Sequence, residues 1–289
     1  MIVVVGDIAV DVVSMLRTPL VRGSDAAAEV RLMPGGSGAN VAVWLARLGE
    51  RVTFVGRIGD DIFGRWLQDD LAAEGVTPAL VVDRARRTGV IQVLVEPGGE
   101  RTMVPDRGAN AVWAPDEISE TLIAGADLLH VVGYVFLDRQ SQSGALAAMA
   151  YARQHSIPVS LDPSSHAPLL GLGAEAFWEL VGPVDLLLPN RREAQVLSGR
   201  EDPEEALLVL QKHAGTVVIK LDRDGCIAAD ARGMKRSPAP SIPIINATGA
   251  GDAFNAGFLA TWKPGANLED ACRAGVGLGT FAATLTTTR

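Results

Sequence analysis

The sequence is poor in residues that would staple it or bind metal. Two cysteines, Cys226 and Cys272, occur in 289 residues. They cannot make a disulfide framework, and no second pair suggests a zinc site. The four histidines, His130, His155, His166 and His213, are scattered without ligand spacing. Positive charge is short as well. Lys and Arg number 26 against 34 Asp and Glu, a net charge of −8, and no basic run offsets it. That argues against a nucleic-acid partner held through phosphate contacts. The apolar runs last only a few residues, far below the ~20 needed to span a bilayer. No basic region precedes the apolar Ile2, Val3, Val4 and Val5, so no secretory signal is read there. The expected location is the cytoplasm.

What remains is an ordinary globular composition, 48% hydrophobic and 21% charged. The length suits one large α/β domain or two small ones. No repeat, low-complexity segment or Pro/Gly/Ser linker divides the chain, so one domain over residues 1–289 is expected. Short β-branched runs recur at 2–5, 52–55, 128–132, 157–161, 184–188 and 216–221. They are apolar at consecutive positions, as strands covered on both faces are. Helical patterns alternate with them at 39–48, 62–74, 141–155, 203–213 and 252–262. The expected fold class is α/β, a doubly wound, mostly parallel sheet with helices on both faces. Ligands in such folds gather at the carboxyl ends of the strands.

Residues 12–33 and 87–106 break this rhythm with strand-like residues but no crossover helix. Residues 89–95 and 101–104 flank Glu96-Pro97-Gly98-Gly99-Glu100, a hairpin-turn sequence. They read either as surface excursions or as two pieces of a small β-lid over the strand ends.

Two glycine clusters carry the chemistry. Gly35-Gly36-Ser37-Gly38-Ala39-Asn40 leads into a small-residue helix, and Asn246-Ala247-Thr248-Gly249-Ala250-Gly251-Asp252 opens another. A glycine-rich turn at a helix start exposes backbone N–H groups and the positive end of the helix dipole, which suits a phosphate. Asp252 beside those groups can take a proton from a substrate hydroxyl, or it can be a helix N-cap, a role Asn fills equally well. Either cluster alone is equally compatible with a tight turn and close helix packing. Neither is a Walker loop, since no Gly-Lys-Ser/Thr follows, and neither fits the dinucleotide fingerprint.

Together with Ala42, Gly49 and Gly59, the first cluster resembles the amino-terminal signature of the PfkB/ribokinase family of ATP-dependent sugar and nucleoside kinases. The run from Thr248 through Gly257 resembles its carboxyl-terminal signature. Between them, Asn190-Arg191-Arg192-Glu193 is similar to the family's Asn-x-x-Glu motif, and Lys220-Leu221-Asp222-Arg223-Asp224-Gly225 to its nucleotide-side loop. The four segments occur in the family's order. The resemblance implies a ribokinase-like fold and transfer of the γ-phosphate of ATP to a hydroxyl of a small sugar.

By that resemblance Asp252 is the catalytic base, and the N–H groups of Gly249, Ala250 and Gly251 form the anion hole. Asn190 and Glu193 organise the triphosphate and Mg²⁺, Glu193 through water. Lys220, Asp222, Gly225 and Val276 fall on the ATP side, although many relatives carry glycine where Asp222 stands. On the acceptor side the resemblance places Asp11, Gly35, Gly36 and Asn40, with Arg107, Asn110 and Gly133 lining the same pocket beside Tyr134. Asp7 is read as a local cap or a sugar contact, and His130 as a core residue. Asn246 stands where cation-activated relatives carry Asp, Ala247 where they carry Thr or Ser, and the Gly-Ala loop that follows in them is not found after Thr286-Thr287-Thr288-Arg289. These departures count against K⁺ activation. The other readings are a nucleoside kinase of the same fold and a non-catalytic sugar- or nucleotide-binding relative. Asp162-Pro163-Ser164-Ser165 lacks the Asn-x-Arg element associated with fructokinase and ketodeoxygluconate kinase members, which lowers those acceptors. Relatives pair through their lids, and bare lid edges invite pairing, so a homodimer is expected.

Overall fold

The computed structural model describes residues 1–98 and 100–285. Gly99, within the expected hairpin turn, and residues 286–289 lie outside the described residues. In chain order the elements begin β1 (Ile2–Val5), β2 (Ala9–Leu16), β3 (Ala28–Gly35), α1 (Ser37–Arg47), β4 (Val52–Gly59), α2 (Ile62–Ala73) and β5 (Thr77–Asp83). Next come β6 (Gly89–Val95), β7 (Arg101–Asp106), α3 (Glu120–Ala124), β8 (Leu128–Val132), α4 (Arg139–Gln154) and β9 (Val159–Asp162). The chain continues through α5 (His166–Leu172), α6 (Ala174–Val181), β10 (Val184–Leu187), α7 (Arg191–Ser198), α8 (Pro203–Leu210) and β11 (Ala214–Lys220). It closes with β12 (Cys226–Asp230), β13 (Gly233–Ser237), α9 (Ala250–Thr261) and α10 (Leu268–Ala282).

The main sheet runs in the order β13-β12-β11-β10-β9-β8-β1-β4-β5. From β11 to β5 every pairing is parallel, while β12 and β13 add antiparallel at one edge. The consecutive apolar residues of β1 are explained by its two buried faces. Ile2 and Val4 belong to one core with Leu45 of α1, Leu71 of α2 and Phe258 of α9. Val3 and Val5 belong to a second core with Met149 of α4 and Leu207 of α8. This is the doubly wound arrangement expected from the alternating pattern.

The second sheet has the order β3-β2-β6-β7, with β2 and β6 parallel and both outer pairs antiparallel. Its register sets one row Met33–Asp11–Ile91–Pro105 across the four strands. Period-two alternation turns that row and its neighbours Ala9, Val93 and Met103 to one face. On the opposite face Val30, Leu32 and Val104 are exposed.

Three strands and several helices left little trace in the sequence. β13 is polar and exposed because it is an edge, and β5 carries Pro78 on the other edge. α10 carries three glycines, Gly275, Gly277 and Gly279. Two of them serve close packing: a Cβ at Gly275 would come within 3.1 Å of the Phe254 ring, and one at Gly279 within 3.0 Å of the Ala250 carbonyl. Among the described residues, no helix is long and apolar enough to cross a membrane.

Candidate active site

The carboxyl ends of five adjacent parallel strands converge on one cleft. Asp7 follows β1, Tyr134 follows β8, Asp162 ends β9, Asn190 follows β10 and Lys220 ends β11, and all line a cavity of about 820 Å³. One face of the second sheet closes it with Asp11, Ile91, Val93, Arg101, Met103 and Pro105. The starts of α1 and α9 form the side wall.

Both helix starts depend on left-handed glycines. Gly36 is the N-cap of α1 at φ 94°, and a Cβ there would lie 2.6 Å from the Asp7 carbonyl oxygen. Gly249 is the N-cap of α9 at φ 77°. Other residues adopt such angles only at a cost. With the two glycine clusters so placed, Ser37 Oγ donates to Asp252 Oδ1 at 2.6 Å and Asn40 Nδ2 donates to Asp252 Oδ2 at 2.9 Å. Burial lifts the Asp252 carboxyl to about 7, although these two hydrogen bonds pull the other way. Asp252 therefore stands in the first turn of α9, not at its N-cap, and its oxygens are held from the other cluster. Of the three residues expected to form an anion hole, Gly249 and Gly251 line the cavity, whereas the Ala250 N–H donates to the Ala247 carbonyl at 3.3 Å.

The Asn-x-x-Glu segment opens α7 as a reciprocal capping box. Glu193 N donates to Asn190 Oδ1 at 2.9 Å, and Asn190 N and Nδ2 donate to the Glu193 carboxyl at 2.8 and 2.6 Å. Glu193 is 1% exposed, and burial first, then the charge of Asp162, raise its carboxyl to about 8. Asn190 and Glu193 are thus fixed by each other while facing the cavity. Behind them lies a pair that sequence reasoning missed. Lys220 Nζ donates to Asp162 Oδ2 at 2.7 Å and to Asn255 Oδ1 at 3.1 Å, and Asn255 Nδ2 bonds the same Asp162 oxygen. Burial opposes ionisation of Asp162, yet Lys220 holds its carboxyl below the usual range. His130, buried one strand away and bonded to Ser160, is pushed down to about 4 by burial, so it is a neutral core residue.

On the acceptor side Asp11 is 7% exposed at the cavity wall. Gly35 does not line the cavity. It leaves room for that carboxylate, because a Cβ there would lie 2.5 Å from Asp11 Oδ2. Gly36 and Asn40 line the cavity. Arg107 lines it too, paired with Asp138. Asn110 lines it, but its amide is spent on backbone: Oδ1 accepts from Ile8 N at 3.2 Å and Nδ2 donates to the Ile8 carbonyl at 2.8 Å. Asp7 both lines the cavity and accepts from Gly38 N at 3.2 Å. Gly133 is a packing residue, since a Cβ would meet the Pro163 carbonyl oxygen at 2.5 Å. Asp222, left-handed at φ 54°, lines the cavity. Gly225 and Val276 do not; Gly225 lies under the Ser237 carbonyl and Val276 in the core.

The cleft thus holds a buried carboxylate between two glycine-rich helix starts at the carboxyl ends of a parallel sheet. A description of the pfkB family carbohydrate kinases matches residues 1–289. The chain is 31% identical to an ATP-dependent ribose-1-phosphate kinase of Halopiger xanaduensis, over 88% of this chain and 82% of that one. It is 28% identical to a ribokinase of Bacillus subtilis, over 94% and 89%. A solved ribokinase of Thermotoga maritima superposes with a TM-score of 0.84 at 26% identity, covering 100% of this chain and 94% of the other. The chain belongs to the pfkB family of carbohydrate kinases, with a ribokinase-like fold, and its activity is ATP-dependent phosphoryl transfer to a sugar.

Removing one partner of the Lys220–Asp162 pair leaves an uncompensated buried charge. Asp162→Ala should lose about 3–5 kcal/mol in urea unfolding at pH 7, and the double variant with Lys220→Met should recover most of it. Equal stability of the single and double variants would contradict the pairing.

Proposed function

We propose that the acceptor is a small neutral sugar and that Asp252 is the base that takes the proton from its hydroxyl. The observation that supports this most is the position of the Asp252 carboxylate, held on both oxygens at the wall of the cavity. Asp11 and Asn40 lie toward the second sheet. Asn190, Glu193, Lys220 and Asp222 belong to the opposite wall, below the ends of β10 and β11. The sugar therefore sits under the second sheet, which acts as a lid, and ATP lies toward β10 and β11. The N–H groups of Gly249 and Gly251 face the γ-phosphate, where phosphoryl transfer needs positioning and charge stabilisation more than covalent chemistry. Asp252 deprotonated in the resting enzyme accepts the hydroxyl proton as the acceptor oxygen attacks phosphorus and the β–γ bridge breaks.

Among the described residues no group of three or more His, Cys, Asp or Glu side chains could hold a metal. Mg²⁺ keeps several waters and binds through substrate phosphates more than through a protein cage. Brought in with the triphosphate, it would neutralise phosphate charge, with Glu193 meeting it through water. Asn246 supports weak K⁺ dependence, because its Oδ1 already accepts from Thr248 N at 2.8 Å and it carries no charge.

A nucleoside acceptor is the second reading. It is favoured by the apolar wall of Ile91, Val93, Met103 and Pro105 facing the cavity, which can take a base but leaves sugar hydroxyls unpaired. An ADP-release screen over pentoses, hexoses, keto-deoxy acids and nucleosides separates the two. Exposed Val30, Leu32 and Val104 on the outer face of the second sheet, with its bare edges β3 and β7, support pairing of two lids in a homodimer. The cytoplasm is the proposed location.

Three outcomes test this reading. Asp252→Asn should lower kcat on the best substrate by about 10²–10⁴-fold, and wild-type kcat/KM should rise with pH through about 7. Because the folded carboxyl is raised, its neutral form stabilises the fold at low pH and that contribution is lost as pH passes 7. Asn mimics the neutral form, so the variant should be more stable than wild type at pH 8, by up to ~4 kcal/mol, and equal to it at pH 3. A kcat within threefold of wild type would end the assignment. Replacing Na⁺ by K⁺ at constant ionic strength should change the rate less than tenfold, and a larger rise would contradict the Asn246 argument. Light scattering at micromolar concentration should give twice the chain mass; monomer alone would exclude the lid dimer.

A further inference from the structure

Arg107 lines the cavity on the same side as Asp7 and Asn110. Its side chain is 18% exposed, and a guanidinium so far out of water needs a counter-charge. Burial raises the nearby Asp7 carboxyl, which the Gly38 N–H and then the charge of Arg107 draw back down. The bonded partner of Arg107 is Asp138. Nη1 donates to Asp138 Oδ2, and Nη2 donates to the Asn110 carbonyl at 3.2 Å. The other cations lining the cavity are turned elsewhere: Lys220 to Asp162 and Arg101 to Thr248.

Asp138 is the N-cap residue of α4, and its carbonyl accepts from Ser141 N at 3.0 Å and Gln142 N at 3.1 Å. At such a position Asp ordinarily turns its carboxylate back onto the first turn of the helix. Asp61 does so on α2 and Asp202 on α8. The Asp138 side chain makes no cap bond. It gives up that local role and bonds Arg107 instead, 31 residues away. Helix capping therefore does not account for this carboxylate, whereas the cavity-lining guanidinium does.

Resting on the neutral-sugar reading above, we propose that Asp138 is a specificity-determining residue: by occupying Arg107 it withholds that guanidinium from the acceptor, so that the site selects uncharged sugars over sugar phosphates and sugar acids. The planar donors of Arg match phosphate and carboxylate oxygens, and left unpaired they would hold an anionic acceptor. With Asp138 in place, an anion entering this half of the cavity meets a spent guanidinium and the carboxyl groups of Asp7, Asp11 and Asp252. Like charges set together suppress the wrong partner, and specificity rests on such repulsion as much as on attraction to the right one. Asp138 takes no part in the transfer, and the proton still goes to Asp252.

The test uses full-length Asp138→Asn, which removes the charge and caps a helix as well as Asp does, and the double variant Asp138→Asn with Arg107→Met. Acceptors are the best neutral sugar of the screen and its aldonic, uronic and monophosphate derivatives. Wild type should prefer the neutral sugar. In Asp138→Asn the ratio of kcat/KM for the best anionic acceptor to that for the neutral one should rise about tenfold or more, through a lower KM for the anion. The double variant should lose that gain. A ratio unchanged in Asp138→Asn, whether both activities are kept or both fall alike, would overturn the assignment alone and leave Asp138 a structural residue. A wild-type preference for an anionic acceptor would overturn the neutral-sugar reading as well. A binding arm needs no turnover: calorimetry of inorganic phosphate on enzyme saturated with a non-hydrolysable ATP analogue. Asp138→Asn should bind phosphate about tenfold or more tightly than wild type or the double variant, and equal binding by all three would overturn the assignment.

Discussion

The site depends on one contact between distant parts of the chain: Ser37 and Asn40, at the start of α1, hold both oxygens of Asp252, at the start of α9. The partners are 215 and 212 residues apart, yet each cluster needs the other. Gly36 and Gly249 give the two helix starts their left-handed caps, and helix dipoles aim both positive ends at the same volume. Between them Asp252 is taken out of water far enough to raise its carboxyl to about 7. That value suits a proton acceptor at neutral pH, because the base is available yet still basic enough to take a hydroxyl proton.

The charges around it are arranged to allow this. Near Asp252, Asp162 raises its carboxyl and Lys220 lowers it, so the buried Lys220–Asp162 pair is close to balanced. Glu193, fixed by its capping box, is raised to about 8 by burial and by Asp162. The cleft thus holds three carboxylates at different protonation levels within one buried network. Burial raises Asp252 and Glu193, while the Lys220 ammonium holds Asp162 down against it.

Much of this was legible in the sequence. The parallel strands appeared as apolar runs because both faces are covered, and the main helices appeared through their period. The two glycine clusters and the Asn-x-x-Glu spacing stood out because tight caps and capping boxes are local. What was not legible depends on distance along the chain. Asp162 and Lys220, 58 residues apart, gave no pattern. Asn255 looked like one more residue of a helix. Arg101 was read only as the start of a hairpin strand, and it lies on an edge strand of mostly exposed residues. Gly35, Gly133 and Gly225 were assigned to ligand contact, and the structure uses each to let backbone or a carboxylate approach closely. Val276 belongs to the core, where its helix packs on α9.

The account turns on the carboxyl of Asp252, and that group can be observed directly. Carbon NMR of protein labelled at Asp carboxyls, with Asp252 assigned by its disappearance in Asp252→Asn, follows its titration in the absence of substrate. The account predicts a midpoint of about 7, raised from the ordinary 3.8, and a further upward move when Ser37 is replaced by Ala. A midpoint at the ordinary value, unmoved by the loss of Ser37, would contradict it.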